Sequence, residues 1–212
     1  TCLPKTACSD LIATALAMNG SATVVRSGCM AKDADMILSE FILLGIGGKE
    51  LSEENAAQTA KALNIIQPDF IRVHATGIKL ESKLGEFVRD GSFTLQSEEE
   101  IVIEQKLFLQ QLHEMDSYYV NEHIVNLLLE VRGNLRTEKQ EMLSTIDRFL
   151  TLPPDERLLF TVGRRLNIFF RLDDLKKPKL HQKAGESLQQ ILSKNPHVDF
   201  AALCNYVRQS QI

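Results

Sequence analysis

No apolar run in this chain approaches the roughly 20 residues that a helix needs to cross a bilayer. Neither a signal peptide nor a lipidation motif can be read at the N-terminus. Charge of one sign is also missing: 24 Lys and Arg stand against 28 Asp and Glu, a formal net charge of −4. Such a balance offers no electrostatic case for a nucleic acid or a membrane surface. Cysteine is scarce. Cys2, Cys8, Cys29 and Cys204 fit neither a zinc ribbon, nor a redox CxxC pair, nor a ferredoxin run. They read as reduced cytosolic thiols packed as small hydrophobes, which points to a cytoplasmic protein. A metal or cluster held by Cys2, Cys8 and Cys29 is the alternative, one their spacing does not support. No Ser-His-Asp set, paired carboxylates or HExxH motif stands out, so the chain by itself declares no reaction. It starts at Thr1, not Met, and is expected to be a fragment or a processed product.

What is present is a repeated strand–loop–helix plan. The 212 residues are 44% hydrophobic, enough for a substantial core. In Phe41-Ile-Leu-Leu-Gly-Ile-Gly-Gly-Lys-Glu50 an apolar strand stops at three glycines, and a helix signal follows at Ser52. The first strand is expected over Leu38 to Leu44 and reads as a buried parallel strand. Ser52 is expected to cap the next helix, with Glu53 and Glu54 against its N-terminal dipole. Asn64 to Pro68 ends that helix, and Phe70 to Val73 makes a second strand. About 25 residues separate the strands, ample for a parallel crossover.

Leu84 to Arg89 reads as a short helix stopped by Gly91, and Ser97 with Glu100 forms a capping box. The helix after it carries Ile101, Phe108 and Leu112 on one face. Ser117 to Val120 is a third strand. Beyond it the pattern is helical. Thr137 is expected to cap a helix bearing Met142, Ile146 and Phe149, and Pro154 suits the first turn of the next, which runs to about Leu166. Residues 171–181 read as a basic linker before two amphipathic helices. The first 36 residues are the least legible, with a short helix expected over Leu11 to Met18 and a short strand over Ala22 to Val25. The expected units are an uncertain N-terminal segment over 1–36, βα units over 37–123 and a helical region over 124–212.

In parallel α/β folds, ligands bind beyond the carboxyl ends of strands. Three loops are expected there: Gly45 to Glu50, His74 to Ser82 and Asn121 to His123. The Gly45-Ile46-Gly47-Gly48 loop resembles a phosphate cradle, but it is neither GxGxxG nor a P-loop, and a tight turn serves equally. Glu50 is either a ligand contact or an exposed first-turn acid. His74 and His123 lie at strand ends, where a ligand role stands against a hydrogen-bonded structural one. Asn121 either faces a ligand or caps a following helix. Arg72, in a buried-looking strand, needs a carboxylate from a neighbour or a ligand. The run Glu98 to Glu100 reads as a solvated helix start. His113, His181 and His197 receive no role.

From Leu38 to about Leu166 the pieces resemble, in order, the C-terminal half of radical S-adenosylmethionine enzymes. They are Ser39-Glu-Phe-Ile-Leu-Leu-Gly-Ile-Gly-Gly-Lys-Glu50, Asn55-Ala-Ala-Gln-Thr-Ala60, Pro68-Asp-Phe-Ile-Arg-Val73, Gly91-Ser-Phe-Thr-Leu-Gln-Ser97, Tyr119-Val-Asn-Glu-His-Ile124, Leu127-Leu-Leu-Glu-Val-Arg-Gly133, and Ile146 to Pro153 with Gly163-Arg-Arg-Leu166. The resemblance implies an α/β fold: an incomplete (β/α), TIM-like barrel with an all-helical C-terminal region. It implies S-adenosylmethionine and a [4Fe–4S] cluster in the intact enzyme, an electron donor, and hydrogen abstraction from an unknown small molecule by a 5′-deoxyadenosyl radical. By this resemblance Gly45, Ile46, Gly47, Gly48 and Glu50, with His74, Ala75 and Thr76, would seat S-adenosylmethionine, while Arg72, Asn121 and His123 would line the substrate side. The CxxxCxxC cluster motif is absent, so no metal ligands are assigned in this chain. The family's Gly-Gly-Glu strand is not recognisable, and the helix that should precede Leu38 reads as shortened or missing. A competing expectation is a clusterless relic or binding module of the same fold, whose late helices and Lys176-Lys-Pro-Lys179 mediate interaction.

Overall fold

The computed structural model describes residues 21–211. The helix expected over Leu11 to Met18 lies outside them, as do Cys2 and Cys8. Helix α1 spans Ser21–Asp33, strand β1 Ser39–Leu44, helix α2 Ser52–Ile66 and strand β2 Phe70–Ala75. Helices α3 (Lys83–Asp90) and α4 (Glu98–Gln111) lead to β3 (Tyr118–Val120) and β4 (Gly133–Asn134). Helices α5 (Lys139–Leu150) and α6 (Pro154–Arg165) follow, then a 3₁₀ turn over Leu172–Lys176, α7 (Pro178–Lys194) and α8 (Phe200–Ser210).

The result is a mixed α/β fold around a small open sheet in the order β1-β2-β3-β4. Strands β1, β2 and β3 are parallel, and β4 is antiparallel to β3. Register pairs Phe41 with Arg72 and Leu43 with His74, and Arg72 in turn with Val120. Crossovers between parallel neighbours are right-handed as a rule, which puts α2 and α4 on the same side of the sheet, and the two helices pack on each other. Burial therefore alternates. Ile42, Leu44, Ile71, Val73, Ala75 and Tyr119 are buried against Ala60, Leu63, Phe108 and Leu109. On the opposite face Phe41 and Leu43 are exposed, at 63% and 47%.

Three short-range signals match the structure. Ser97 and Glu100 form the expected capping box, and Pro154 opens α6. Gly91 caps α3 with a positive φ of 82°, in the left-handed region where a glycine is unstrained.

Several expectations are corrected. The chain after β3 is not helical throughout, because Gly133–Asn134 pairs back on β3 as β4. Ala22 to Val25 is helical, part of α1, because Val25 and Cys29 pack against Ile66 of α2 and helical spacing aligns them. A helix thus does precede Leu38. Gly28 permits this approach, since a Cβ there would lie 2.7 Å from Ile66 Cγ2. Ser52 is the first residue of α2 and not its cap, its hydroxyl being drawn to the buried Glu104 carboxylate instead. Thr137 caps nothing either; Glu138 occupies that position without a side-chain cap bond. The stretch 171–181 is not a plain linker, because Asp174 accepts the amides of Phe170 and Arg171 and winds a 3₁₀ turn.

A continuous apolar core runs from Ile42 through α5 and α6 to Ala184 of α7. No helix among the described residues is long and apolar enough to cross a membrane.

Candidate functional site

Parallel pairing puts the carboxyl ends of β1, β2 and β3 at one end of the sheet, and the residues there form two separate clusters. The first is the glycine turn. Gly45 and Gly48 take positive φ values of 82° and 62°, which lets the chain reverse between β1 and α2. The Gly45 amide donates to Glu104 Oε1 at 3.1 Å, Ser52 Oγ to Glu104 Oε2 at 2.7 Å, and Asn55 Nδ2 to Glu104 Oε1 at 2.7 Å. Glu104 is fully buried on α4. The anion beside this turn and the N-terminus of α2 is therefore the protein's own carboxylate.

Glu50 accepts the Thr94 amide at 3.3 Å, and that loop's bonds hold its carboxyl below the usual range. The Lys49 amide donates to Thr94 O at 3.0 Å. Of the turn residues, Ile46 is exposed, at 37%.

The second cluster stands on the open face of the sheet. The His74 and His123 rings lie with centroids 4.2 Å apart and planes tilted 31°. Phe41 meets His74 edge-on at 5.5 Å. Arg72 does not pair with a carboxylate among the described residues. Its Nε donates to Ser39 Oγ at 3.0 Å, and its guanidinium lies 6.0 Å from the Phe41 ring centroid and 5.8 Å from that of Phe70. Two aromatic faces thus steady a half-buried cation. Partial burial lowers the His74 pKa, and His123 and Arg72 lower it further. His123 Nδ1 accepts weakly from the Val125 amide at 3.4 Å.

Between the clusters lies a scaffold that the sequence did not announce. Asn126 is buried; it accepts the Ala75 amide and donates to Val73 O, each at 2.7 Å, and also donates to Asn121 Oδ1. Asn121 is buried and donates to Leu128 O at 2.6 Å, and no helix follows it to be capped. The Thr76 amide donates to Leu44 O, and Thr76 O accepts from Arg208 Nε at 3.0 Å.

Helix α8 covers the loop after β2. Asn205 grips Ile78 through both backbone groups, at 2.8 and 2.9 Å. The run Glu98 to Glu100 is not solvated at its start. Glu98 is buried between Arg165, at 2.5 and 3.0 Å, and Arg208. Burial raises its carboxyl pKa, but the two guanidiniums outweigh that and hold it below the usual range.

Two surface clefts lie elsewhere. One of about 430 Å³ is lined by Leu152, Leu175 and His181, and one of about 440 Å³ by Ala57, Asn64 and His113. Neither reaches the strand ends. Among the described residues no group of three or more His, Cys, Asp or Glu converges as a metal site. Compared with family models, curated proteins and solved structures, the chain matches none of them.

Proposed function

We propose that this chain is the C-terminal part of a radical S-adenosylmethionine-type barrel, and that its bare sheet face forms one wall of a small-molecule chamber. The observation behind the reading is the one-sided sheet: three parallel strands carry helices on one face, while Phe41, Leu43, Arg72 and His74 stand on the other. A closed barrel has that arrangement, helices outside and strand side chains within. The ordered pieces from Ser39 to Leu166 support it independently.

The described residues do not fit an iron–sulfur cluster, since Cys29 and Cys204 are buried in separate parts of the fold and no ligand set converges. Ligands for one would have to come from outside residues 21–211. The S-adenosylmethionine seat fits in part. The Gly45, Ala75 and Thr76 amides are bonded inside the protein, which leaves Ile46 as an apolar contact for an adenine. In the intact enzyme the two groups together would supply a 5′-deoxyadenosyl radical. In this chain Arg72, His74 and His123 hold and orient the substrate, while Asn121 and Asn126 fix the loop that carries His123.

The test is anaerobic iron and sulfide reconstitution of the complete reading frame, then chromatography for 5′-deoxyadenosine after chemical reduction. Product is expected, with Ile46→Asp raising the KM for S-adenosylmethionine about tenfold. No product from a reconstituted, folded protein overturns the reading.

The second reading, a clusterless binding module, is favoured by Glu104 occupying the donors of the glycine turn. It predicts ligand binding without iron and no S-adenosylmethionine cleavage.

A further inference from the structure

The open sheet face is asymmetric in charge. Its strand positions are Ser39, Phe41 and Leu43 on β1, Phe70, Arg72 and His74 on β2, and Tyr118 and Val120 on β3, as register and alternation require. None of these is acidic, and the fixed charge among them is Arg72. Glu40 alternates onto the helix-covered side, and Glu122 is paired with Arg132. The groups facing His74 are Phe41 from β1, Arg72 from its own strand and His123 from the loop after β3.

Arg72 and His74 are two residues apart on one strand face, about 6–7 Å. That gap suits one acid group. The exposed Phe41 and Leu43 lie directly beside it on β1.

We propose that this face binds a small apolar carboxylic acid as its monoanion. The carboxylate lies between Arg72 and the His74–His123 pair, and the hydrocarbon body lies along Phe41 and Leu43. Arg72 is presented for this role, because Ser39 Oγ takes its Nε while the Phe41 and Phe70 rings flank the guanidinium carbon, and the fork of Nη donors is the part suited to a carboxylate. A monoanion is favoured over a dianion because His74 is pushed towards neutrality at pH 7, leaving Arg72 as the one fixed charge of the strand face. The inference rests on reading the bare face as the substrate wall and names the chemistry of what that wall accepts.

The experiment is isothermal titration of the full chain with octanoate, 1-octanol and 1-octylamine, which share a tail and differ in head group. Octanoate is expected to bind at least tenfold tighter than octanol, and the amine to bind weakest. Arg72→Met should weaken octanoate about tenfold and leave octanol unchanged, with unaltered circular dichroism confirming the fold. Titration with 1-octanesulfonate, which stays ionised throughout, should tighten as pH falls and His74 gains a proton, over a range below the usual histidine one. That slope should flatten in His74→Gln.

Equal binding of octanoate and octanol by the unaltered chain overturns the proposal whatever the variants do. These titrations need neither iron nor S-adenosylmethionine. Lost head-group selectivity beside intact 5′-deoxyadenosine formation removes only this inference, and the reverse pattern removes only the radical-enzyme reading.

Discussion

Asn126 stands in for a missing strand. Strand β3 ends opposite Arg72, so β2 runs three residues past its neighbour, leaving Val73 O and Ala75 N–H without a ladder partner on that side. Buried backbone groups without partners cost about 1–3 kcal/mol each. The Asn126 amide satisfies both at 2.7 Å. Asn126→Ala should therefore lower stability by about 2–4 kcal/mol, read as a fall in the urea midpoint at unchanged slope. A loss under about 0.5 kcal/mol would show that the amide is dispensable.

No pattern around Asn126 marked this role, since it sits in an irregular segment between apolar residues. His74 and His123 were legible as strand-end residues, because strand ends can be read from local pattern. Their ring contact was not, as 48 intervening residues fold between them. Glu104 was hidden for a similar reason. One acid among several on a polar-looking helix carries no sign that three donors from another element will converge on it.

Between elements, packing depends on where backbone can approach closely. Gly163 lies in the last half of α6, and a Cβ there would come within 2.3 Å of the Phe169 ring. That ring is fully buried and stacked on Phe160 at 5.9 Å, so it cannot swing away. Gly163→Ala, which raises helix propensity in isolation, should instead destabilise the fold by about 1–3 kcal/mol, measured by thermal denaturation. A stabilised variant would show that Phe169 can repack.

Elements whose signals are local were readable in advance. The capping box at Ser97 and Glu100, the left-handed Gly91 and the N-terminal Pro154 each act within one turn of chain. Misreadings arose where a distant partner prevailed. Ser52 turned to a carboxylate on α4 in place of its own helix amides, and Val25 joined a helix because α2 offered it an apolar seat. Asp174 folded part of a basic stretch into a 3₁₀ turn.

Across the protein, Glu98 ties α4 to α6 and α8 through Arg165 and Arg208, partners 67 and 110 residues away. Removing the one acid would strand two buried cations. Glu98→Gln is expected to cost about 3–5 kcal/mol. Because the folded pKa lies below the unfolded value near 4.3, the carboxylate's contribution is complete above that pH and is lost as pH falls through the lower folded value. Acid titration followed by circular dichroism should show part of the unfolding slope below about pH 4.3 missing in Glu98→Gln. An identical slope would mean that other carboxylates set the acid limit.

Alternation, glycine punctuation and capping residues settled the strands and helices from Ser39 to Val120, since those preferences act over a few residues of backbone. They also settled that the loops after β1, β2 and β3 share one end of the sheet, because parallel strands leave no other choice. Only the folded chain decided which side chains at that end face outwards. Glu104 filled the glycine turn and Asn121 and Asn126 were spent on backbone, while Arg72, His74 and His123 were left on the open face. Burial and hydrogen-bond satisfaction are summed over the whole structure, and no short window of sequence contains that sum.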